Sequence, residues 1–213
     1  MGNPETEEQE YYSLTKKAFD KLAPFYDFVT APFSKLRDDV VEFAAAPADS
    51  RILDVATGTG KQAFAYARRG YDVTGIDLTE AMLRIARGKN KYPKVRFQAA
   101  DATKLPFEDR SFDVSCISFA LHDMPLSIRE KVLKEMVRVT NPAGTIVVVD
   151  YGLPQNRIGR FLIRRFVSLY EGKYYQGFIR ADLRALLGSA GIAIKEERRA
   201  VLGAARIVKA ARA

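Results

Sequence analysis

The chain has 213 residues, of which 47% are hydrophobic and 28% charged, a balance typical of soluble globular proteins. Its length fits one domain with one hydrophobic core better than two independent domains. The sequence has no run of roughly eighteen apolar residues that could span a bilayer and no apolar leader after Met1, which predicts a cytoplasmic protein. Cys116 is the single cysteine, so an internal disulfide is excluded.

The formal net charge of +8 is unevenly distributed along the chain. Residues 151–213 contain 13 lysines and arginines against 4 aspartates and glutamates. Such a basic surface is either simply solvated or attracts an anionic substrate, an anionic lipid surface or a nucleic acid. Because no RNA-binding or base-reading motif accompanies it, we rank a nucleic-acid partner below a small molecule or a lipid.

The first fifty residues differ from those that follow. Residues 1–10 are acidic and small and are predicted to be disordered. Residues 11–50 show helical apolar spacing, broken by Pro24 and Pro32, and are predicted to form a helical cap. A single folded domain is therefore expected over residues 11–213.

From Arg51 onward, short apolar or β-branched runs alternate with helical segments. We predict strands at 51–55, 72–76, 94–98, 112–118 and 145–150, and helices at 60–69, 79–89 and 127–139. This alternation predicts an α/β fold with a doubly wound, mostly parallel sheet covered by helices on both faces. Asn141-Pro-Ala-Gly144 is predicted to form a sharp turn before the fifth strand.

After residue 150 the order of elements changes. Two helical segments, at 157–170 and near 181–187, precede strands near 192–197 and 204–209, which we expect to pair antiparallel. Residues 151–190 are expected to form a helical insertion on the substrate side, and residues 191–213 to close the sheet. The helix at 157–170 carries arginines on one face, so it could cover the sheet, act as a lid or contact anionic lipid headgroups.

Carboxylates follow three successive predicted strands. Asp54 lies near the end of the first strand, Asp77 ends the second and Asp101 follows the third. Gly58 and Gly60 let the backbone approach a ligand closely at the N-terminus of the next helix. Asp77 stands at the sequence distance at which a carboxylate accepts hydrogen bonds from ribose hydroxyls. The pattern predicts a site for an adenosyl cofactor.

The same residues bear on two other kinds of nucleotide site. Gly58-Thr-Gly60-Lys-Gln-Ala63 satisfies the dinucleotide fingerprint, so an NAD(P)-dependent oxidoreductase is the main alternative. Asp54 disfavours it, because a carboxylate there would repel a pyrophosphate. A phosphate-binding loop is excluded, since Val55 replaces its first glycine and Gln62 its hydroxyl residue. A non-catalytic protein that binds an adenosyl cofactor is a third alternative.

Four ordered motifs resemble those of class I S-adenosylmethionine-dependent methyltransferases. They are Asp54-Val-Ala-Thr-Gly-Thr-Gly60, Gly75-Ile-Asp-Leu-Thr-Glu-Ala-Met82, Ala100-Asp-Ala-Thr-Lys-Leu-Pro-Phe107 and Ser111-Phe-Asp113. The subgroup most similar is the ubiquinone/menaquinone-biosynthesis type, through Ala23-Pro-Phe-Tyr-Asp27 and Ile117-Ser-Phe-Ala-Leu121. The resemblance covers about residues 18–150. It implies a seven-stranded Rossmann-like sheet in which residues 51–150 bind the cofactor.

The resemblance further implies the reaction. S-adenosyl-L-methionine would be the cofactor and S-adenosyl-L-homocysteine the product. The acceptor would be a small molecule or lipid, either a quinone precursor, a phospholipid amine, or another amine or phenol, and the enzyme could contact an anionic membrane surface. No metal is expected, since one histidine and one cysteine cannot supply the usual zinc ligands.

The cofactor contacts implied by the resemblance extend from the first helix to the fourth strand. They are Tyr26, Asp54, Thr57, Gly58, Thr59, Gly60, Asp77, Leu78, Met82, Asp101, Ala102 and Ser118. Leu78 and Met82 would form apolar walls around the adenine, although Met82 fits a plain core position equally well. Tyr26 would fold over the methionine part or simply pack on the sheet. Ala56 replaces a glycine common in the family, which requires a negative φ at that residue.

The acceptor side is predicted from three residues. His122, the single histidine, follows the fourth strand at the edge where open α/β sheets bind ligands. It is a candidate general base, the alternative being a loop residue capped by Asp123. The quinone subgroup carries Arg-Asn where this chain has His122-Asp123. Tyr174 and Tyr175 are predicted to line the acceptor pocket, with plain packing as their other interpretation.

Overall fold

The computed structural model describes residues 4–154 and 173–213, and the helix predicted at 157–170 lies outside these ranges. Two helices, α1 (Pro4–Val29) and α2 (Ser34–Ala44), precede the sheet and are joined by a 3-10 turn at Ala31–Phe33. The prediction of disorder is wrong for residues 4–10, which form the first turns of α1. Lys131 pairs with Glu8 at 2.7 Å and ties this acidic segment to the body of the domain.

Helix α1 also continues through Pro24, where the sequence predicted a break. Proline has no N–H to donate to the carbonyl of Asp20, four residues earlier. Asp20 is exposed, so solvent can satisfy that carbonyl. Ala23 beside it is buried, with 3% of its surface exposed, so packing on the core holds the helix across the proline.

Seven strands in the described residues form one sheet in the order β3-β2-β1-β4-β5-β7-β6, which confirms the predicted fold class. The strands are β1 (Arg51–Val55), β2 (Asp72–Asp77), β3 (Val95–Ala99), β4 (Phe112–Ser118), β5 (Thr140–Tyr151), β6 (Ile192–Ala200) and β7 (Ala205–Arg212). The helices between them are α3 (Lys61–Ala67), α4 (Glu80–Lys89), α5 (Leu126–Val139), α6 (Tyr175–Arg180) and α7 (Leu183–Ser189).

The first five strands are parallel, and the last two close the sheet antiparallel as predicted. The final strand, β7, lies between β5 and β6 and pairs antiparallel with both. This insertion is a finding of the structure, because the sequence spacing does not specify which of two closing strands pairs with β5.

The turn predicted at 141–144 is a bulge within β5. Opposite β4, the pairing moves from Thr140 beside Phe112 to Thr145 beside Val114, so the four residues between them are unpaired with that strand. A Cβ on Gly144 would lie 2.7 Å from the main-chain oxygen of Asp113, which explains why this position carries a glycine.

The hydrophobic core lies in two layers, one on each face of the sheet. Successive strand side chains point to opposite faces, so Leu53 and Val55 pack on the α5 side, whereas Ile52 packs against α2 and α3. Tyr11 of α1 joins the α5-side cluster. The cap is thereby held over the carboxyl ends of the parallel strands. None of the described helices is both long and apolar enough to cross a membrane.

Candidate functional site

The turn after β1 has left-handed backbone at three positions, Ala56 (φ +54°), Gly58 (φ +55°) and Gly60 (φ +82°). The expected negative φ at Ala56 is therefore wrong. The N–H of Thr57 donates to the Ile76 carbonyl at 2.8 Å and holds the turn against β2. Left-handed backbone costs a residue with a Cβ about 1–2 kcal/mol, so this turn is strained at Ala56.

Asp54 lies at the base of this turn and is 1% exposed. The Thr57 hydroxyl donates to its Oδ2 at 2.5 Å. Burial raises the pKa of Asp54 to about 7, and the negative charge of Asp77 acts in the same direction against the hydrogen bonds from Thr57 and Ala63. A cationic ligand group would stabilise the ionised carboxylate, whereas a phosphate would be repelled by it.

Asp77, at the end of β2, is fixed by two backbone amides. Gly58 N–H donates to its Oδ2 and Thr79 N–H to its Oδ1, both at 2.8 Å. Burial raises the pKa of Asp77, and these hydrogen bonds oppose that shift. The Asp77 side chain lines a cavity at this edge of the sheet, and a carboxylate there is a suitable acceptor for ribose hydroxyls.

Two adjoining cavities open at this edge of the sheet, and they bring together most of the predicted site residues. The first cavity, beside β2 and β3, is lined by Tyr26, Gly58, Asp77, Leu78, Met82, Asp101 and Ala102. The second, about 600 Å³ in volume, is lined by Tyr26, Asp54, Thr57, Thr59, Ser118, His122 and Tyr174. Tyr26, Ala56, Phe119 and Asp123 line both cavities, so one extended ligand can reach from the first into the second.

Two predicted residues line neither of these cavities. Gly60 starts α3, and a Cβ there would lie 2.8 Å from the Phe97 ring, so its position is set by packing. Tyr175 is 1% exposed, and its ring packs edge-on against that of Tyr151 at 5.5 Å. Met82 is compatible with both of its predicted roles, a wall of the adenine site and a core residue, because it lines the first cavity and is only 1% exposed.

Asp27 is a residue that the sequence reasoning did not include in the site. Its Oδ1 accepts the Thr59 hydroxyl at 2.6 Å, its Oδ2 accepts Lys89 Nζ at 2.5 Å, and its main-chain oxygen accepts Lys61 Nζ at 2.7 Å. Burial raises the pKa of Asp27, but the hydrogen bonds from Lys89 and Thr59 and the lysine charges hold it below its usual value. Asp27 thus ties α1 to the turn and to α4.

The outer parts of the site are also hydrogen-bonded. Asp101 Oδ1 accepts both the N–H and the hydroxyl of Thr103 at 2.8 Å, and Tyr12 is 3.2 Å from that hydroxyl. Ser118 Oγ lies 3.5 Å from the buried Cys116 Sγ at the end of β4. In residues 4–154 and 173–213, no group of three or more His, Cys, Asp or Glu side chains is arranged to hold a metal ion.

His122 forms a buried pair with Asp150, which the sequence reasoning missed. His122 lies in the 3-10 turn Leu121–Asp123 after β4, and its Nδ1 is 2.7 Å from Asp150 Oδ1 near the end of β5. Both side chains are almost fully buried, at 2% and 0% exposure. Asp123 Oδ2 lies 3.5 Å from the other ring nitrogen, Nε2. His122 is therefore more than a loop residue capped by Asp123.

Comparison with known proteins defines the class of the central part of this chain. Residues 52–144 match the family described as "Methyltransferase domain". The matched residues include most of β1, all of β2 to β4, and the carboxylates Asp54, Asp77 and Asp101. Residues 52–144 thus match a methyltransferase domain, and the predicted resemblance to S-adenosylmethionine-dependent methyltransferases is confirmed.

Particular relatives refine this similarity. A demethylmenaquinone methyltransferase from Renibacterium salmoninarum is 41% identical over 141 residues, which are 64% of this chain and 58% of that protein. The chain thus spans less than two thirds of that relative's length. Magnesium protoporphyrin IX methyltransferase from Synechocystis, solved with bound SAH, has a TM-score of 0.70 at 17% identity over 95% of this chain and all of that one. A SAM-dependent methyltransferase from Aquifex aeolicus gives 0.65 at 20% identity over 83% and 89% of the two chains. These two structures support the fold.

Proposed function

We propose that this protein transfers the methyl group of S-adenosylmethionine to a small-molecule or lipid acceptor. The single observation that carries the proposal is the pair of carboxylates at neighbouring strand ends, the buried Asp54 and the half-buried Asp77. The free protein leaves Asp54 with a strongly raised pKa, so its negative charge is poorly compensated. A ligand that brings a cation to Asp54 and ribose hydroxyls to Asp77 satisfies both groups at once.

Most of the predicted cofactor residues have a task in this proposal. Asp77 would accept the ribose hydroxyls, Leu78 and Met82 would flank the adenine, and Asp101 with Ala102 would lie at its far edge. Asp54 would face the ammonium group of the methionine part, and Thr57 orients that carboxylate. Tyr26 lies over Gly58, with its ring 3.6 Å from where a Cβ would stand, so it can cover the methionine part. Gly60 would act through the shape of the turn.

The second cavity fits an apolar acceptor that carries an ionisable hydroxyl. Leu14, Leu22, Phe33, Leu36 and Val40 line it from the cap, while His122, Asp123 and Tyr174 supply polar groups near the sheet. Demethylated quinols have this combination of an apolar tail and a ring hydroxyl. The similarity to demethylmenaquinone methyltransferases supports a quinol over the amine acceptors.

The residues of the chain would promote the reaction mainly by alignment. The bound cofactor supplies an electrophilic methyl group on a sulfonium, which is already a good leaving group. Holding the two reactants in line can contribute roughly 7–11 kcal/mol in favourable cases. The cap, anchored through Asp27, excludes water from the shared part of the two cavities, and His122 would take the proton of the acceptor.

The experiment that tests this function is methyl labelling of an extract. Purified protein is incubated with methyl-radiolabelled S-adenosylmethionine and a lipid extract, and labelled products are identified by chromatography and mass spectrometry. We expect one labelled lipid whose rate of formation is strongly reduced, but still measurable, with His122→Gln protein. Cofactor binding without labelled product would favour the non-catalytic alternative. Enhanced NADH fluorescence on adding the protein would favour an oxidoreductase.

We also propose that α1 contacts an anionic membrane surface from which the acceptor enters. Leu14, Lys17, Lys21, Phe25 and Phe28 follow one another at three- and four-residue spacing and so share one face of the helix. Phe25 is 67% exposed and Phe28 87% exposed, and both lysines beside them are exposed. Leu14 and Leu22 of the same helix line the second cavity, so this face borders its mouth.

Vesicle sedimentation tests this contact. We expect the protein to sediment with vesicles that contain phosphatidylglycerol and less with pure phosphatidylcholine. Phe25→Ser with Phe28→Ser should abolish sedimentation, whereas Leu126→Ser, at an exposed apolar residue of α5, should not. Equal sedimentation of the two variants would contradict a role for α1.

A further inference from the structure

The hydrogen bonds around Asp150 hold its carboxylate in one orientation. Its Oδ1 accepts the backbone N–H of Tyr151 at 2.7 Å, and its Oδ2 accepts the backbone N–H of His122 at 3.2 Å. The same Oδ1 meets Nδ1 of the His122 ring at 2.7 Å. An ionised carboxylate only accepts hydrogen bonds, so Nδ1 is the nitrogen that keeps the proton when the His122 ring is neutral.

The His122 ring is also fixed by packing. The Tyr151 ring lies 4.7 Å from it edge-on, and the Tyr175 and Phe178 rings lie at 6.3 and 6.4 Å. The other ring nitrogen, Nε2, lies 3.5 Å from Oδ2 of Asp123, a residue that lines both cavities. The position of the ring is therefore set by its aromatic neighbours and by Asp150, and His122 itself lines the second cavity.

We propose that Asp150 is a positioning residue that holds His122 with Nδ1 protonated, so that Nε2 takes a proton from a hydroxyl of the methyl acceptor. The inference rests on the proposed function, because it assigns the acceptor a hydroxyl that must lose its proton. Tyr175, predicted as a substrate contact, acts instead as packing behind the His122 ring.

The proposed reaction breaks two bonds and forms two. The acceptor O–H bond breaks and its proton forms a bond to His122 Nε2, while the acceptor's electron pair forms the new bond to the methyl carbon. The carbon–sulfur bond breaks, and its electrons leave with the sulfur as a neutral thioether. The imidazolium lies between the carboxylates of Asp150 and Asp123, which stabilise its charge until the proton returns to solvent.

Besides the Asp123 carboxylate, two arginines in the described residues act electrostatically with Asp150 and belong to different elements. Arg129 of α5 donates from Nε to the Leu121 carbonyl at 2.7 Å, and its guanidinium lies 4.9 Å from the Phe178 ring. The guanidinium of Arg206, in β7, lies 5.6 Å from the centre of the same ring. Burial lowers the pKa of both arginines, and the charge of Asp150 opposes that shift in each case.

The single histidine makes a direct test possible. Protein labelled with ¹⁵N-histidine gives signals from one imidazole, and their chemical shifts distinguish a protonated from an unprotonated ring nitrogen. For the unmodified protein above the titration of His122, we expect Nδ1 to carry the proton and Nε2 to be bare. A proton on Nε2 with a bare Nδ1 would overturn the inference. These spectra need no acceptor, so they are independent of whether methyl transfer is found.

Kinetics of Asp150→Asn test the consequence for turnover. The amide oxygen can still accept a hydrogen bond but carries no charge, so kcat should fall roughly 10- to 100-fold with KM and cofactor affinity within about twofold. The acidic limb of the kcat profile should move to lower pH, because the imidazolium loses a stabilising charge. In a His122→Gln background the same substitution should change kcat little. An unchanged pH profile, or an equal loss of kcat in that background, would contradict the positioning role.

Discussion

The substitution Asp54→Asn separates the effect of the Asp54 charge on the stability of the fold from its effect on cofactor binding. The buried carboxyl has a pKa of about 7, raised from 3.8, so the folded state binds the proton more tightly than the unfolded chain. The sign follows from this difference. Between about pH 4 and pH 7 the folded state holds more protons, so stability falls as the pH rises through that window, and the loss is complete above pH 7.

The size of the effect follows from the same shift. At about 1.4 kcal/mol per pKa unit, the ionised carboxylate lowers the free energy of unfolding at pH 8 by about 4 kcal/mol at most. Asparagine keeps an oxygen that can accept the Thr57 hydroxyl and carries no charge. Asp54→Asn should therefore be more stable than the parent at pH 8, by about 2–4 kcal/mol, and no more stable near pH 4.

Urea denaturation of the free protein at pH 4, 6 and 8 measures this difference. The matched control is Asp72→Asn, at the other end of the neighbouring strand β2, where Asp72 is partly exposed and pairs with Arg96. The same variant should bind S-adenosylhomocysteine more weakly at pH 8, because the ammonium group loses its counter-charge. An Asp54→Asn protein that is less stable at pH 8, or that binds the ligand as tightly as the parent, would refute the reasoning.

Three further substitutions test the local geometry. Ala56→Gly should raise the free energy of unfolding by about 1 kcal/mol, because glycine adopts the positive φ without a Cβ penalty; a destabilised variant in thermal melts would count against strain there. Gly144→Ala should lose about 1–3 kcal/mol through the 2.7 Å approach of its Cβ to the Asp113 carbonyl, and an unchanged melting temperature would show that the bulge adapts. Asp27→Ala should cost about 1–2 kcal/mol and expose α1 to proteolysis, since it removes acceptors from Thr59 and Lys89; protection equal to that of the parent would mean that the cap is held elsewhere.

The sequence was sufficient for the elements whose signal is local. The strands β1 to β4 are short apolar runs in the sequence. Asp54 and Asp77 lie at the ends of two of these runs, so the sequence places both at one edge of the sheet. Helix α1 could not be read correctly, because packing of Ala23 on the core outweighs the break expected at Pro24. The position of β7 beside β5 depends on pairing between distant segments, for which the residues give no local sign.

The missed site residues share one property, which is that their partners are far away in the chain. Asp150 contacts His122, 28 residues earlier, and in the sequence it looks like the end of an apolar strand. Asp27 bonds to Thr59, 32 residues later, from a helix that the sequence assigns to the cap. Only the fold brings these side chains to the edge where the cavities open.

The central claim is that Asp54 and Asp77 bind an adenosyl cofactor, and isothermal titration with S-adenosylhomocysteine tests it most directly. We predict one binding site per chain, with affinity reduced about tenfold or more by Asp77→Ala, a loss of about 1.4 kcal/mol, and unchanged by Asp72→Ala on the same strand. No binding to the unmodified protein, or equal affinity in both variants, would contradict the claim.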